Sequence, residues 1–207
     1  MSEQHCYQCG SKEDVKFCQS GISQLCKVCR YKQTEELIKK IIPPQFQDKQ
    51  SNHPKLQQYI KEPKSLFVWG NSGTGKTTFV CSLAKAYIKA ELKVKILSYP
   101  KFIMELQGGF KDDSDPYSVA KRVAEYKGIL IIDDIGAEKL TSFVQQISYY
   151  LINEREQYLL KTIITSNFSL QQISEQIDVR IASRITGMSD VLNFTGSDLR
   201  IKNRGIK

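Results

Sequence analysis

Residues 70–77 read Gly70, Asn71, Ser72, Gly73, Thr74, Gly75, Lys76, Thr77, the pattern G-x-x-x-x-G-K-[ST]. Glycines at that spacing let the backbone curl until its N–H groups face phosphate oxygens. Lys76 can then reach the β- and γ-phosphates of ATP, and the Thr77 hydroxyl can ligate Mg²⁺. Thr78 completes the candidate nucleotide-contacting run. Two further sets of polar residues end apolar runs. Residues 129–132 (ILII) lead into Asp133 and Asp134. Asp133 would hold Mg²⁺ through water, and Asp134 stands where a glutamate general base is often found, one methylene shorter. The run 162–166 leads into Asn167, which would orient an attacking water beside the γ-phosphate or else serve as a turn Asn.

A second chemistry sits near the start of the chain. Five of the six cysteines lie in the first 29 residues, and Cys6-x2-Cys9 is separated from Cys26-x2-Cys29 by 16 residues. That spacing reads as a zinc site: two thiolates from each of two turns close a tetrahedron, leaving no open position for catalysis. Gly10 assists the first turn. Cys18 or His5 could replace one ligand, and a set of free thiols is the competing reading. A segment this short cannot bury enough apolar surface to fold unaided, so metal would supply folding energy. Cys81 reads as a small buried hydrophobe.

These groups need elements to hold them. Residues 66–69 read as a buried strand before the glycine-rich turn, and Phe79, Val80, Leu83, Ala84, Tyr87 and Ile88 recur at helical spacing after it. Residues 94–97 form another strand, with Ser98 capping a helix that begins at Pro100 and ends at Gly108-Gly109. Asp115-Pro116 opens a helix carrying Val119, Val123 and Tyr126, stopped by Gly128. The run up to Asp133 reads as a central parallel strand buried on both faces. Thr141 caps a helix in which Phe143, Val144, Ile147, Tyr150, Leu151 and Glu154 follow at helical spacing; Ser169-x-x-Gln172 is a capping box; residues 191–194 form a last strand before a basic tail with Arg200, Lys202, Arg204 and Lys207. The fold class is α/β: a five-stranded parallel sheet of P-loop type, flanked by helices. Upstream, residues 30–42 read as a helix capped by Thr34, with a stripe of Leu37, Ile38, Ile41 and Ile42, ended by Pro43-Pro44. Residues 45–64 read as a polar approach segment with a helix at 55–61. The boundary is placed near 42, giving a zinc-binding module with its linker helix at 1–42 and an ATPase domain at 43–207.

Composition sets outer bounds. The chain has 207 residues, 25% charged and 41% hydrophobic, the balance of a soluble globular protein. No apolar run approaches the ~20 residues that span a bilayer, and residues 1–9 lack a signal-peptide pattern, so a reduced, cytoplasmic setting without membrane partners is expected. The net charge of +8 is spread evenly, +4 in residues 1–64 and +4 beyond. It suits a polyanionic partner, but solvated lysine faces give the same number.

The motifs GNSGTGKT, ILIIDDIGAE, INERE, TIITSNFSL and RIASRI occur in this order. Together they resemble the AAA+ ATPases of the DnaC/DnaI bacterial helicase-loader family, over about residues 42–200. The related IstB family of transposition helper ATPases has a similar core. The resemblance implies that the Asn167 strand lies between the phosphate-loop strand and the Asp133 strand. It implies that Arg184 is an arginine finger with Arg180 beside it, reaching a neighbouring subunit's γ-phosphate, so that activity needs self-association; helix-surface arginines in salt bridges are the plainer alternative. It places Lys101, Lys111, Lys121 and Arg122 where initiator-type AAA+ proteins touch single-stranded DNA, although a solvated basic face accounts for them equally. Only 23 residues follow Arg184, too few for the helical lid of most AAA+ proteins; the loader family shares that absence, Arg200 could stand in for the lid's arginine, and turnover would be slow. The cysteine module is then expected to grip a hexameric replicative helicase. Two other functions compete: an IstB-like transposition helper acting on duplex DNA, and an adaptor that senses ATP with little hydrolysis.

Overall fold

Runs of Ile, Leu and Val without polar alternation require cover on both faces, and the chain supplies it. The computed structural model describes residues 6–12, 15–17, 24–108 and 115–199. His5, Cys18, Lys111 and the basic tail from Arg200 onward lie outside the described residues. A two-stranded antiparallel ribbon, β1 (Lys16–Phe17) and β2 (Gln24–Leu25), leads into helix α1 (Lys27–Ile41). Two short helices follow, α2 (Pro44–Gln47) and α3 (Leu56–Lys61). The main domain alternates β3 (Ser65–Gly70), α4 (Lys76–Lys89), β4 (Val94–Ser98), α5 (Tyr99–Gly108), α6 (Pro116–Ala124), β5 (Ile129–Ile135), α7 (Ser142–Gln157), β6 (Thr162–Ser166), α8 (Leu170–Gln176), α9 (Val179–Met188) and β7 (Ser189–Phe194). The five main strands pair in parallel in the order β4-β5-β6-β3-β7. The Asn167 strand therefore lies between the phosphate-loop strand and the Asp133 strand, as the resemblance implied.

Period-two alternation divides each strand between two cores. Phe67, Leu130, Ile132 and Ile164 face helices α5, α6, α7 and α9. Leu66, Val68, Ile131 and Ile163 face α4, with Ile38 and Ile42 from the α1 segment and Leu56 and Tyr59 from α3. Cys81 is buried in this second core, as its apolar context predicts.

Several local expectations are corrected. Cys26, not Thr34, stands at the N-terminus of α1; Thr34 lies inside the helix and donates to the Arg30 carbonyl at 2.8 Å. Leu37 leaves the expected stripe and is exposed. Helix α5 begins at Tyr99 and α6 ends at Ala124, short of Tyr126. The segment 45–64 is more than an approach. The Tyr87 hydroxyl donates to the Tyr59 carbonyl at 2.8 Å, and Lys85 donates to the carbonyls of Phe46, Gln47 and Lys49. The polar composition of this segment hid those anchors, because they are backbone carbonyls. The caps at Asp115 and Thr141 and the capping box of Ser169 with Gln172 form as expected.

Arg155 holds the far end of the sheet. It is fully buried and donates to Thr162 Oγ1 and to the carbonyls of Ala124, Tyr126, Gly128 and Lys161. Burial lowers its pKa to about 10, with Tyr126 opposing the shift. Among the described residues, no helix is long and apolar enough to cross a membrane.

Candidate nucleotide site

The phosphate loop joins β3 to α4 at the C-terminal edge of the sheet, where open α/β sheets take their ligands. Gly75 is the N-cap of α4 at φ +98°, a left-handed conformation that a side chain resists. Thr74 Oγ1 donates to the Asn71 carbonyl at 2.8 Å and fixes the loop's curl. Lys76 is buried; its Nζ donates to the carbonyls of Gly70 (2.8 Å) and Asn71 (2.9 Å) and to Asn167 Oδ1 (2.8 Å). Asn167 Nδ2 in turn donates to Asp134 Oδ1 at 3.0 Å. Thr77 Oγ1 lies 3.2 and 3.3 Å from the two Asp133 oxygens. With Thr165 bridging Asp133 and Asp134, the residues Lys76, Thr77, Asp133, Asp134 and Asn167 form one connected group, drawn from the first turn of α4 and two strand ends.

Thr165, unnoticed in the sequence, organises the carboxylates. Its hydroxyl donates to Asp133 Oδ1 at 2.7 Å and accepts from the Asp134 backbone N–H at 2.8 Å. The pairing of β5 with β6 slips between Ile132 and Ile135, and Asp134 sits at φ +67°. A bulge of this kind re-aims side chains at a strand end. Burial raises the Asp133 pKa, and Asp134 adds to the rise; the Thr165 and Thr77 hydroxyls and Lys76 oppose it. A divalent cation between Thr77 and Asp133 would remove that penalty, so the donor set fits Mg²⁺.

Beside the loop lies a cavity of about 370 Å³, lined by Ser51, His53, Thr78, Phe194 and Leu199 among others. His53 stacks on Phe194 with centroids 4.7 Å apart and meets Phe79 edge-on at 5.2 Å. Burial lowers the His53 pKa, with Lys55 adding to it, which favours a neutral ring. An apolar, aromatic wall adjoining a phosphate loop suits a nucleobase. No periodicity in residues 49–64 marked this wall, because His53 is a loop residue and its ring partners Phe79 and Phe194 come from α4 and β7.

A model of the family described as IstB-like ATP binding protein matches residues 24–206. The chain belongs to that family. This IstB-like protein is also 29% identical over 111 residues to the replicative helicase loader DnaI of Bacillus subtilis (strain 168), a match covering 53% of this chain. The match spans 35% of the DnaI chain. The fold is similar to the crystal structures of the DnaC helicase loader (TM-score 0.59, 24% identity, 68% of this chain and 86% of that one) and of DnaI (TM-score 0.58, 23% identity, 69% and 79%). The sheet order and phosphate loop of the IstB-like protein are those of a P-loop ATP-binding fold.

Away from the phosphate loop, the IstB-like protein places Arg184 on α9, and it is already engaged. Its Nη1 lies 2.5 Å from Glu156 Oε2, its Nη2 donates to the Tyr149 hydroxyl at 3.0 Å, and its Nε is buried without a partner. Arg180 stacks on the same Tyr149 ring and pairs with Asp178 at 2.7 Å. Arg184 is half-buried rather than tucked into the core. Lys101 and Lys121 are exposed and pair within their own helices with Glu105 and Glu125; Arg122 is exposed as well.

Cys6, Cys9, Cys26 and Cys29 bring their Sγ atoms within 4.8 Å of one another, and Cys9 and Cys26 are 3.6 Å apart. Sulfur ligands around zinc stand about 3.8 Å apart, given Zn–S bonds of about 2.3 Å, so the four thiols fit that ion. The first pair sits on a turn, but the second opens α1, with Cys26 as N-cap. Without an ion the cluster is crowded: burial and the neighbouring thiols push the Cys29 thiol up to about 12.

Proposed function

We propose that this protein is an ATP-dependent loader of a replicative helicase, and that it binds Mg²⁺·ATP, single-stranded DNA and a hexameric ring helicase. The observation that carries the reading is the connected group of Lys76, Thr77, Asp133, Asp134 and Asn167 beside an aromatic-walled cavity. The likeness to DnaI gives the group its biological setting.

Lys76 exchanges its loop carbonyls for the β- and γ-phosphates, and Thr77 and Asp133 hold Mg²⁺. Held by Thr77 and Asp133, Mg²⁺ would supply neutralisation of the charge that builds on the transferring phosphoryl group. Asn167 and Asp134 flank the attacking water, and Asp134 accepts its proton. Arg184 reaches the γ-phosphate of a neighbouring subunit, which makes the site composite. To do so it trades Glu156 for phosphate, and its unpartnered Nε favours that exchange. Cys6, Cys9, Cys26 and Cys29 would hold zinc, and the module at 1–42 that carries them grips the helicase.

The test combines ATP turnover with and without single-stranded DNA and co-purification of full-length protein with a replicative ring helicase. Turnover stimulated by single-stranded DNA, together with helicase retention, is the expected result. Stimulation by duplex DNA alone, without helicase retention, would move the assignment to a transposition helper. ATP binding without turnover would make the protein a nucleotide-sensing adaptor.

A further inference from the structure

Beyond β7 the chain bends at Gly196 and returns across the phosphate loop. The Leu199 backbone N–H donates to the Gly73 carbonyl at 2.9 Å. Gly73 has φ +77°, and a Cβ built there would run into the Asp198 carboxylate. The carboxylate therefore rests directly on the loop whose N–H groups are arranged for phosphate. The Leu199 side chain lies 3.3 Å from where a Gly75 Cβ would stand and lines the cavity with His53 and Phe194. Three contacts thus place one short segment over both halves of the nucleotide site.

We propose that residues 196–199 form a strap that gates this site, with Asp198 opposing polyphosphate entry. The inference rests on the nucleotide reading above. A carboxylate this close to the loop repels each phosphate charge that approaches, and nucleotide binds fully only when the strap lifts. The Leu199 side chain is half-exposed, and exposed segments of this kind open locally at low cost. The Gly73 position then has two demands on it, its own left-handed backbone and room for the Asp198 carboxylate.

Charge-graded binding tests the strap. Affinities of full-length wild type and D198N are measured for ATP, ADP and adenosine by calorimetry. D198N keeps the side-chain shape and removes its charge. The expected result is a gain of about five- to tenfold for ATP, a smaller gain for ADP, and none for adenosine. L199A, which keeps the backbone bond, is expected to shift all three ligands alike. Equal affinities in wild type and D198N, a gain of the same size for adenosine, or weaker ATP binding by D198N would overturn the strap while leaving the nucleotide site standing. Folded wild type and D198N that both ignore ATP would overturn the nucleotide reading and the strap with it.

Discussion

Asp133 illustrates how a single carboxyl can serve chemistry at a cost in stability. Its folded pKa lies above its unfolded value, first because of burial. Such a group contributes most when protonated; the contribution is fully present below the unfolded pKa and is lost as pH rises through the folded one. At neutral pH the ion-free protein therefore carries a buried carboxylate that weakens it. Asp133→Asn is expected to raise the thermal midpoint of the nucleotide-free protein at neutral pH, with the gap to wild type closing as pH falls through that interval. Calorimetry across pH checks this, and the same variant should lose Mg²⁺-dependent turnover. Arg184 offers a second test. On the proposed function, Arg184→Ala should reduce turnover on the order of a thousandfold while nucleotide binding persists, because the arginine would act on a neighbour's phosphate. Unchanged turnover would return Arg184 to a surface ion pair with Glu156.

At the scale of elements, strand ends and their bulges place the site. The slip between β5 and β6 turns two consecutive aspartates toward different partners, and Thr165 from the adjacent strand holds both. Thr165→Val keeps volume and removes the hydroxyl, so it should destabilise by about 1–3 kcal/mol and lower turnover; urea unfolding and steady-state kinetics separate the two effects. The opposite end of the sheet depends on Arg155, whose guanidinium satisfies four carbonyls and a hydroxyl. Arg155→Met takes this donor from the Ala124, Tyr126 and Gly128 carbonyls, while Lys161 keeps the Leu130 N–H, and a loss of about 3–5 kcal/mol is expected from equilibrium unfolding.

For the whole molecule, the net charge of +8 overstates what a polyanion would meet. Arg155, Lys85 and Lys161 donate to backbone carbonyls inside the fold, and Lys101 and Lys121 have acidic neighbours one helical turn away. Helix α1 links the two ends of the architecture, since Cys29 belongs to the thiol cluster and Ile38 to the sheet's second core. Stripping zinc with a strong chelator should unfold the cysteine module and fray the first turn of α1, while the sheet keeps its cooperative transition. Metal analysis with far-ultraviolet circular dichroism and calorimetry on the full chain reads both outcomes.

The amino-acid sequence by itself determined the phosphate loop, the strand that ends in Asp133, the caps at Asp115, Thr141 and Ser169, and the pairing of cysteine motifs. Each of these is a contiguous pattern whose physics acts within a few residues. Tertiary structure decided the rest: the Thr165 bridge, the wall of His53 against Phe194, the capture of Arg184 by Glu156, and Asp198 over Gly73. Those contacts join residues far apart in the chain through single hydrogen bonds, ring stacking and close approach. Only the folding of the sheet and the return of the chain across its edge bring them together, so no local spacing could announce them.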